Sequence, residues 1–274
     1  MKKSGLVIRI ALLVVCAAVF VVSVITLINI FGEYSEADNF YESVNEDIEG
    51  LLNDKNNIAS DEKVPERLVK LSEYVRELQQ SYPDVVGYIN VPNLKDGDKG
   101  ISYPVVQTDN NDYYLTHMIN GEENKSGSVF LDSKIDADSP NTRNLILYGH
   151  NMNNGAMFHS IEKMFSDRNL FEGAVVEYIT ADAVYIYSPF ALYRGKASYF
   201  QFPHEFSNEE VYKSFLERIK DSSVYSTAEE ANPDKNIISL VTCVNSINQN
   251  NDRYFYQAIL NKSYTNVHAE AEND

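Results

Sequence analysis

Hydrophobic and polar positions divide the chain into three regimes. The first is an unbroken apolar run from Ile10 to Phe31, 22 residues without a charge, preceded by Lys2, Lys3 and Arg9. At 1.5 Å of rise per residue such a run makes a helix of about 33 Å, enough to cross a hydrocarbon core of about 30 Å. A cleaved leader would carry a shorter apolar stretch, about 7–15 residues, ending at a small-residue cleavage site. Val15 before Cys16 also does not suit a lipid-modified cysteine. Residues 10–31 are therefore expected to form an uncleaved, single-pass transmembrane anchor. The positive flank puts residues 1–9 in the cytoplasm and the remaining chain outside the cell membrane.

The second regime, residues 32–82, is acidic and helical in spacing, a stalk or packing segment. Pro65 stands where a helix begins, and Leu68, Leu71, Val75 and Leu78 form one apolar stripe. Ser81-Tyr82-Pro83 ends that helix, because the residue before proline disfavours helical dihedrals.

In the third regime, residues 83–262, the pattern changes to short β-prone runs separated by turn residues. They are Val85–Pro92, Ile101–Gln107, Ser126–Asp132, Leu145–Tyr148, Ala174–Thr180, Ala183–Tyr187, Ala191–Lys196, Asn236–Thr242 and Arg253–Leu260. The reading is a mainly β domain of about eight short strands, a closed barrel or a sandwich. Two helices interrupt it. One covers Met157–Met164; the other follows the capping-box pattern Ser207-Asn208-Glu209-Glu210 and carries Val211, Phe215, Leu216 and Ile219 on one face. Residues 263–274 read as a polar tail.

A formal net charge of −17 excludes a nucleic-acid partner, since phosphate contacts need clustered Lys and Arg. The only cysteines are Cys16, inside the apolar run, and Cys243, so no disulfide framework exists and Cys243 is a free thiol. Cys243 closes the run Ile237-Ile238-Ser239-Leu240-Val241-Thr242-Cys243. His150 closes Leu145-Ile146-Leu147-Tyr148-Gly149, and Arg253 opens Arg253-Tyr254-Phe255-Tyr256. A nucleophilic thiol needs positive charge nearby, a group to protonate the leaving amine, and a donor aimed at the oxyanion. These three residues supply that set. Taken singly, each has a plainer reading: packing, structure, surface charge.

The surrounding residues resemble the sortase family, and within it class B. The resemblance rests on Tyr148-Gly149-His150-Asn151-Met152 with Gly155-Ala156-Met157-Phe158, on Ser239-Leu240-Val241-Thr242-Cys243, and on Arg253. Separations of 93 residues from His150 to Cys243 and ten to Arg253 fit that class. Further similar stretches are Val86-Gly87-Tyr88-Ile89, Tyr103-Pro104-Val105-Val106-Gln107, Asp112-Tyr113-Tyr114-Leu115 with His117, and Gly127-Ser128-Val129-Phe130-Leu131-Asp132. The likeness covers roughly residues 65–262; Ser239 stands where the family often has Thr.

The resemblance implies an eight-stranded sortase-type β-barrel with N-terminal helices and an inserted helix before the cysteine strand. It implies a membrane-anchored cysteine transpeptidase that cleaves a C-terminal sorting motif of secreted proteins after Thr. The acyl group would pass to an amine of a peptidoglycan precursor or a pilin lysine. Cys243 would be the nucleophile, His150 the general acid and base, and Arg253 the oxyanion and substrate-positioning residue, with Thr242 a weaker substrate contact. Two rivals are an extracellular cysteine protease that only hydrolyses and a non-catalytic surface assembly protein. A papain-like order, Cys before His, is absent.

Other histidines carry less weight. His117 is read as loop support, His159 as packing or surface, His204 as part of a turn and His268 as part of the tail. Asp132, Asp136 and Asp138 only faintly imitate a calcium loop, lacking its glycine and terminal glutamate. No metal and no cofactor are expected.

Overall fold

The computed structural model describes residues 2–53, 64–94, 100–137, 142–196, 203–243 and 252–268. Asp138, residues 95–99 of the expected first loop, residues 244–251 between Cys243 and Arg253, and residues 269–274 lie outside the described residues.

Helix α1 spans Lys2–Asn45 and passes residue 31 without interruption. Its apolar first part is exposed and is the one helix among the described residues long and apolar enough to cross a membrane. The later part docks on the remaining chain. Asn124 Nδ2 donates to the Glu33 carbonyl at 3.0 Å, Tyr41 OH to the Gly127 carbonyl at 2.9 Å, and Asn45 Nδ2 to the Ser102 carbonyl at 3.0 Å. A short helix α2, Glu49–Asn53, precedes α3, Glu66–Ser81, whose buried face is the expected stripe of Leu68, Leu71, Val75 and Leu78.

Eight strands follow: β1 Val85–Val91, β2 Ile101–Val106, β3 Val129–Leu131, β4 Asn144–Tyr148, β5 Val176–Ile179, β6 Ala183–Lys196, β7 Ile237–Cys243 and β8 Asp252–Thr265. They close into a barrel in the order β1-β2-β3-β4-β7-β8-β6-β5. The pairs β2/β3 and β4/β7 are parallel and the others antiparallel. Closure removes the unpaired edges that an open sheet would present.

Four local differences from the sequence reading appear. The runs Ala183–Tyr187 and Ala191–Lys196 are one strand, because the register against β8 shifts between Pro189 and Ala191. The extra residue of that bulge is Phe190; Pro189, which has no N–H to give, stays opposite Ala258 beside it. After β4, helix α4 starts at His159 rather than Met157, which has φ 57° and bridges back to Asn151. A further helix, α5 Arg168–Gly173, begins where Asp167 Oδ1 accepts from the Asn169 and Leu170 amides at 2.9 and 3.4 Å. The inserted helix α6, Glu209–Ser222, is capped by Asn208 Oδ1 accepting from the Val211 amide at 2.9 Å, not by Ser207.

The expected polar tail begins inside β8, and Val267 is buried. His268 Nε2 lies 3.2 Å from Ser72 Oγ and 3.0 Å from the Ala181 carbonyl, so this end is packed against α3. The local pattern of charged residues hid a contact made across 196 positions.

Candidate active site

Strand register sets the geometry. Along β7/β8, Cys243 pairs directly with Arg253. Opposed residues in an antiparallel pair put their side chains on one face of the sheet. On the other side of β7, the parallel partner β4 is in register from Asn144↔Ile237 to Tyr148↔Val241. One more bond, from the Gly149 amide to the Val241 carbonyl at 3.2 Å, extends that match. His150 and Cys243 therefore each stand two positions past the last ladder pair, at the same end of the barrel. All three are half-buried.

Each side chain is held by its neighbours. His150 Nε2 is 2.7 Å from the Leu115 carbonyl, an oxygen that only accepts, so Nε2 carries hydrogen and Nδ1 is the nitrogen left for proton transfer. The His150 carbonyl accepts from the Phe158 amide at 2.8 Å, which folds the loop back on itself. Gly149 is required there. A Cβ at that position would lie 2.9 Å from Phe158 Cδ2, inside van der Waals contact with a fully buried ring.

Arg253 Nη1 donates to the Asp252 carbonyl at 3.0 Å. The Asp252 carboxylate is taken by Arg194, whose Nε and Nη2 reach Oδ2 at 3.1 and 3.0 Å. Thr242, by contrast, is 1% exposed, with Oγ1 enclosed and without a partner among the described residues. Strand alternation turns it away from the face of Cys243.

A polar cluster backs the three strand ends. Asn151 Nδ2 donates to the Cys243 carbonyl at 3.2 Å and to Glu162 Oε2 at 2.5 Å. His159 Nδ1 donates to Asn151 Oδ1 at 2.7 Å. Burial first, then the Glu162 carboxylate, raises the Tyr254 phenol above its ordinary value. His159 was read as packing or surface; it sits in this cluster. Asn151 was visible next to His150, but nothing in a single sequence gave it a role.

The remaining side chains resolve as loop structure. His117 stacks on Tyr113 with ring centroids 4.1 Å apart and donates from Nδ1 to the Tyr113 carbonyl at 2.9 Å. The His204 carbonyl accepts from Thr142 Oγ1 at 2.7 Å. Asp132 spends its carboxylate internally, on Tyr148 OH at 2.9 Å, Asn111 Nδ2 at 3.1 Å and the Lys134 amide at 3.0 Å. Burial, then that carboxylate, pushes the Tyr148 phenol up. Among the described residues no group of three or more His, Cys, Asp or Glu is arranged to hold a metal ion.

Comparison with known proteins gives a consistent result. The family profile described as "Sortase domain" matches residues 89–261. Sortase B of Listeria monocytogenes is 30% identical over 169 residues, covering 62% of this chain and 66% of that protein. The solved structure of sortase B from Bacillus anthracis in complex with AAEK1 is 30% identical with a TM-score of 0.66, covering 85% of this chain and 100% of that one. Clostridium perfringens sortase B is 28% identical with a TM-score of 0.60, covering 68% of this chain and 99% of that one.

Proposed function

The chain belongs to the sortase family of cysteine transpeptidases, in its class B, and from that premise we propose that Cys243, His150 and Arg253 perform the acyl transfer. The observation that carries this reading is the register: Cys243 opposite Arg253, with His150 at the matching end of the parallel strand.

The proposed chemistry runs in two half-reactions. The Cys243 thiolate attacks the carbonyl carbon of the Thr in a C-terminal sorting motif, and the oxygen takes up negative charge. Arg253 stabilises that oxyanion with guanidinium hydrogen bonds, which are strongest where water is partly excluded. His150, protonated at both ring nitrogens, gives the Nδ1 proton to the departing amide nitrogen as the C–N bond breaks. A thioester on Cys243 remains. The Nε2 proton stays on the imidazole throughout, donated to the Leu115 carbonyl, which keeps the ring in one orientation. An acceptor amine, from a peptidoglycan precursor or a pilin lysine, then attacks the thioester. His150 Nδ1 takes a proton from it, and the thiolate leaves.

The apolar half of α1 anchors the enzyme in the cell membrane, with its N-terminus in the cytoplasm and residues 83–262 outside, where both substrates lie. The described parts of the 32–82 segment, residues 32–53 and 64–82, pack against that barrel rather than spacing it away, through the α1 and α3 contacts described above.

The test uses full-length protein in detergent, a sorting-motif peptide library, and mass spectrometry with and without an added amine. Amine-linked product is expected, and Cys243→Ala abolishes it while the fold is kept. Free acid alone, whatever amine is supplied, would indicate a hydrolase; full turnover by Cys243→Ala would refute the reading. His150→Ala and Arg253→Ala are each expected to slow turnover by ~10²–10⁴-fold.

A further inference from the structure

We propose that Asn151 is a positioning residue: its carboxamide, clamped by Glu162 and His159, ties the histidine loop to the Cys243 carbonyl and so sets the spacing of His150, Cys243 and Arg253. The proposal rests on the assignment of those three residues above.

The backbone ladder alone does not fix this spacing. Pairing between β4 and β7 ends at Tyr148↔Val241, and the last backbone bond across the seam is Gly149 to Val241. Beyond it the next tie from the histidine side to the cysteine strand is the Asn151 side chain, 3.2 Å from the Cys243 carbonyl. Asn151 stands next to His150 and is 6% exposed, so the bond is shielded from competing water.

The carboxamide is matched atom by atom. An asparagine offers two N–H donors on nitrogen and acceptor lone pairs on oxygen. Both donors go to oxygens, those of Cys243 and Glu162, and the oxygen accepts from His159 Nδ1. The orientation is thereby determined, and an aspartate would face two acceptors with no hydrogen to give. The same Glu162 carboxylate lies close enough to Tyr254, the neighbour of Arg253 on β8, to add to burial in raising its phenol. Phe165, which caps α4, packs its ring on Tyr254 with centroids 4.8 Å apart. One helix thus backs the neighbours of two of the three groups, Asn151 beside His150 and Tyr254 beside Arg253.

The histidine loop keeps its own shape without this carboxamide. The Asn151–Met157 bridge, the bond from the Phe158 amide to the His150 carbonyl, and the 2.9 Å bond from the Met157 amide to Tyr103 OH all use other atoms. Removing the carboxamide frees the loop relative to β7 rather than unravelling it.

In detergent-solubilised full-length protein, Asn151→Ala is expected to lower kcat for thioester formation by ~10–100-fold, the scale of an ångström-sized misplacement, with peptide KM within about twofold. A second readout is the pH profile of iodoacetamide alkylation, followed on the peptide bearing Cys243. Its inflection moves in Asn151→Ala because the imidazole no longer sits at a fixed distance from the sulfur; a merely structural role leaves it in place. Glu162→Gln retains an acceptor for the carboxamide and stays near parent activity, whereas Glu162→Ala is slow. The double variant Asn151→Ala/Glu162→Ala is no slower than Asn151→Ala alone, as for residues acting as one unit. The half-buried Glu162 pair of variants decides the matter should Asn151→Ala fail to fold. Parent kcat with an unchanged alkylation profile in Asn151→Ala, or Gln and Ala equally slow at 162, would overturn the proposal. Turnover by Cys243→Ala would instead remove the underlying assignment, whatever Asn151 does.

Discussion

Two polar brackets, at different depths in the molecule, join a helix to strand residues through a glutamate and an asparagine. In the sealed one, Arg67 of α3 gives Nη1 to Glu177 Oε2 on β5 at 3.0 Å and Nη2 to Oε1, with both side chains 3% exposed or less. Asn90 Nδ2 on β1 donates to the same Oε2 at 2.8 Å, and Ser102 Oγ on β2 donates to Asn90 Oδ1 at 2.6 Å. In the other, at the barrel mouth, Glu162 and His159 are half-buried and the asparagine is Asn151. An enclosed carboxylate has to be answered by a full positive charge, because water is not available to solvate it. At the mouth partial hydration relaxes that demand. On the proposal above, the mouth bracket sets how the proposed reactive groups are spaced, while the sealed bracket contributes to the stability of the barrel.

Substitutions can separate these two roles. Arg67→Ala strands the Glu177 charge and is expected to cost ~3–5 kcal/mol in denaturant unfolding, while each folded molecule keeps parent activity. Unchanged stability would break the comparison. A smaller effect is expected from filling two glycines. A Cβ at Gly87 would lie 2.8 Å from the Ile179 carbonyl oxygen, and one at Gly149 would lie 2.9 Å from Phe158. Each Ala variant should lose ~1–3 kcal/mol by overpacking, but only Gly149→Ala should also lose turnover, since only that strain reaches His150. Equal turnover in the two variants would count against a mouth-specific effect.

The smallest effect concerns alkaline pH. Burial holds the phenols of Tyr88, Tyr187 and Tyr256 well above their ordinary value. Above pH about 10 the unfolded chain releases these protons while the folded chain retains them. Stability is therefore complete below that pH and declines as pH rises toward the folded values. Each such phenol contributes a slope of about 1.4 kcal/mol per pH unit. Tyr88→Phe should flatten the decline, measured as unfolding midpoint against pH from 8 to 11; an unaltered slope would place Tyr88 nearer water than its burial implies.

The proposed site residues Cys243, His150 and Arg253 were legible through the family-like motifs around them at the ends of β-prone runs, not from any of the three taken singly. The short β-prone runs indicated about eight strands but left a barrel and a sandwich both open, and the family resemblance implied the barrel. What escaped depended on distance along the chain or on a competing local rule. Arg67 and Glu177 are 110 positions apart, and a charged residue in a strand ordinarily reads as solvent-facing. The runs Ala183–Tyr187 and Ala191–Lys196 read as two strands because a bulge is a property of two strands together. At α6, Asn208 outcompeted Ser207 for the cap, a choice between neighbours that both suit the position. His159 lacked any local signal, since its partner Asn151 approaches from a loop that folds back eight residues.

Helix α1 makes no stop between its apolar and docked halves, so no hinge intervenes between bilayer and barrel. Asn154, in the histidine loop, holds the Asp38 carboxylate at 3.1 and 3.3 Å, and Asp38 is seven residues beyond Phe31, about 10 Å along the helix. With the apolar half embedded as proposed, the mouth keeps a constant altitude above the lipid. Lateral drift and spin about the helix axis are the freedoms left to it. Partners that are themselves retained in the same membrane then meet it as a two-dimensional gas, and their encounter rate follows areal density rather than concentration in the surrounding medium.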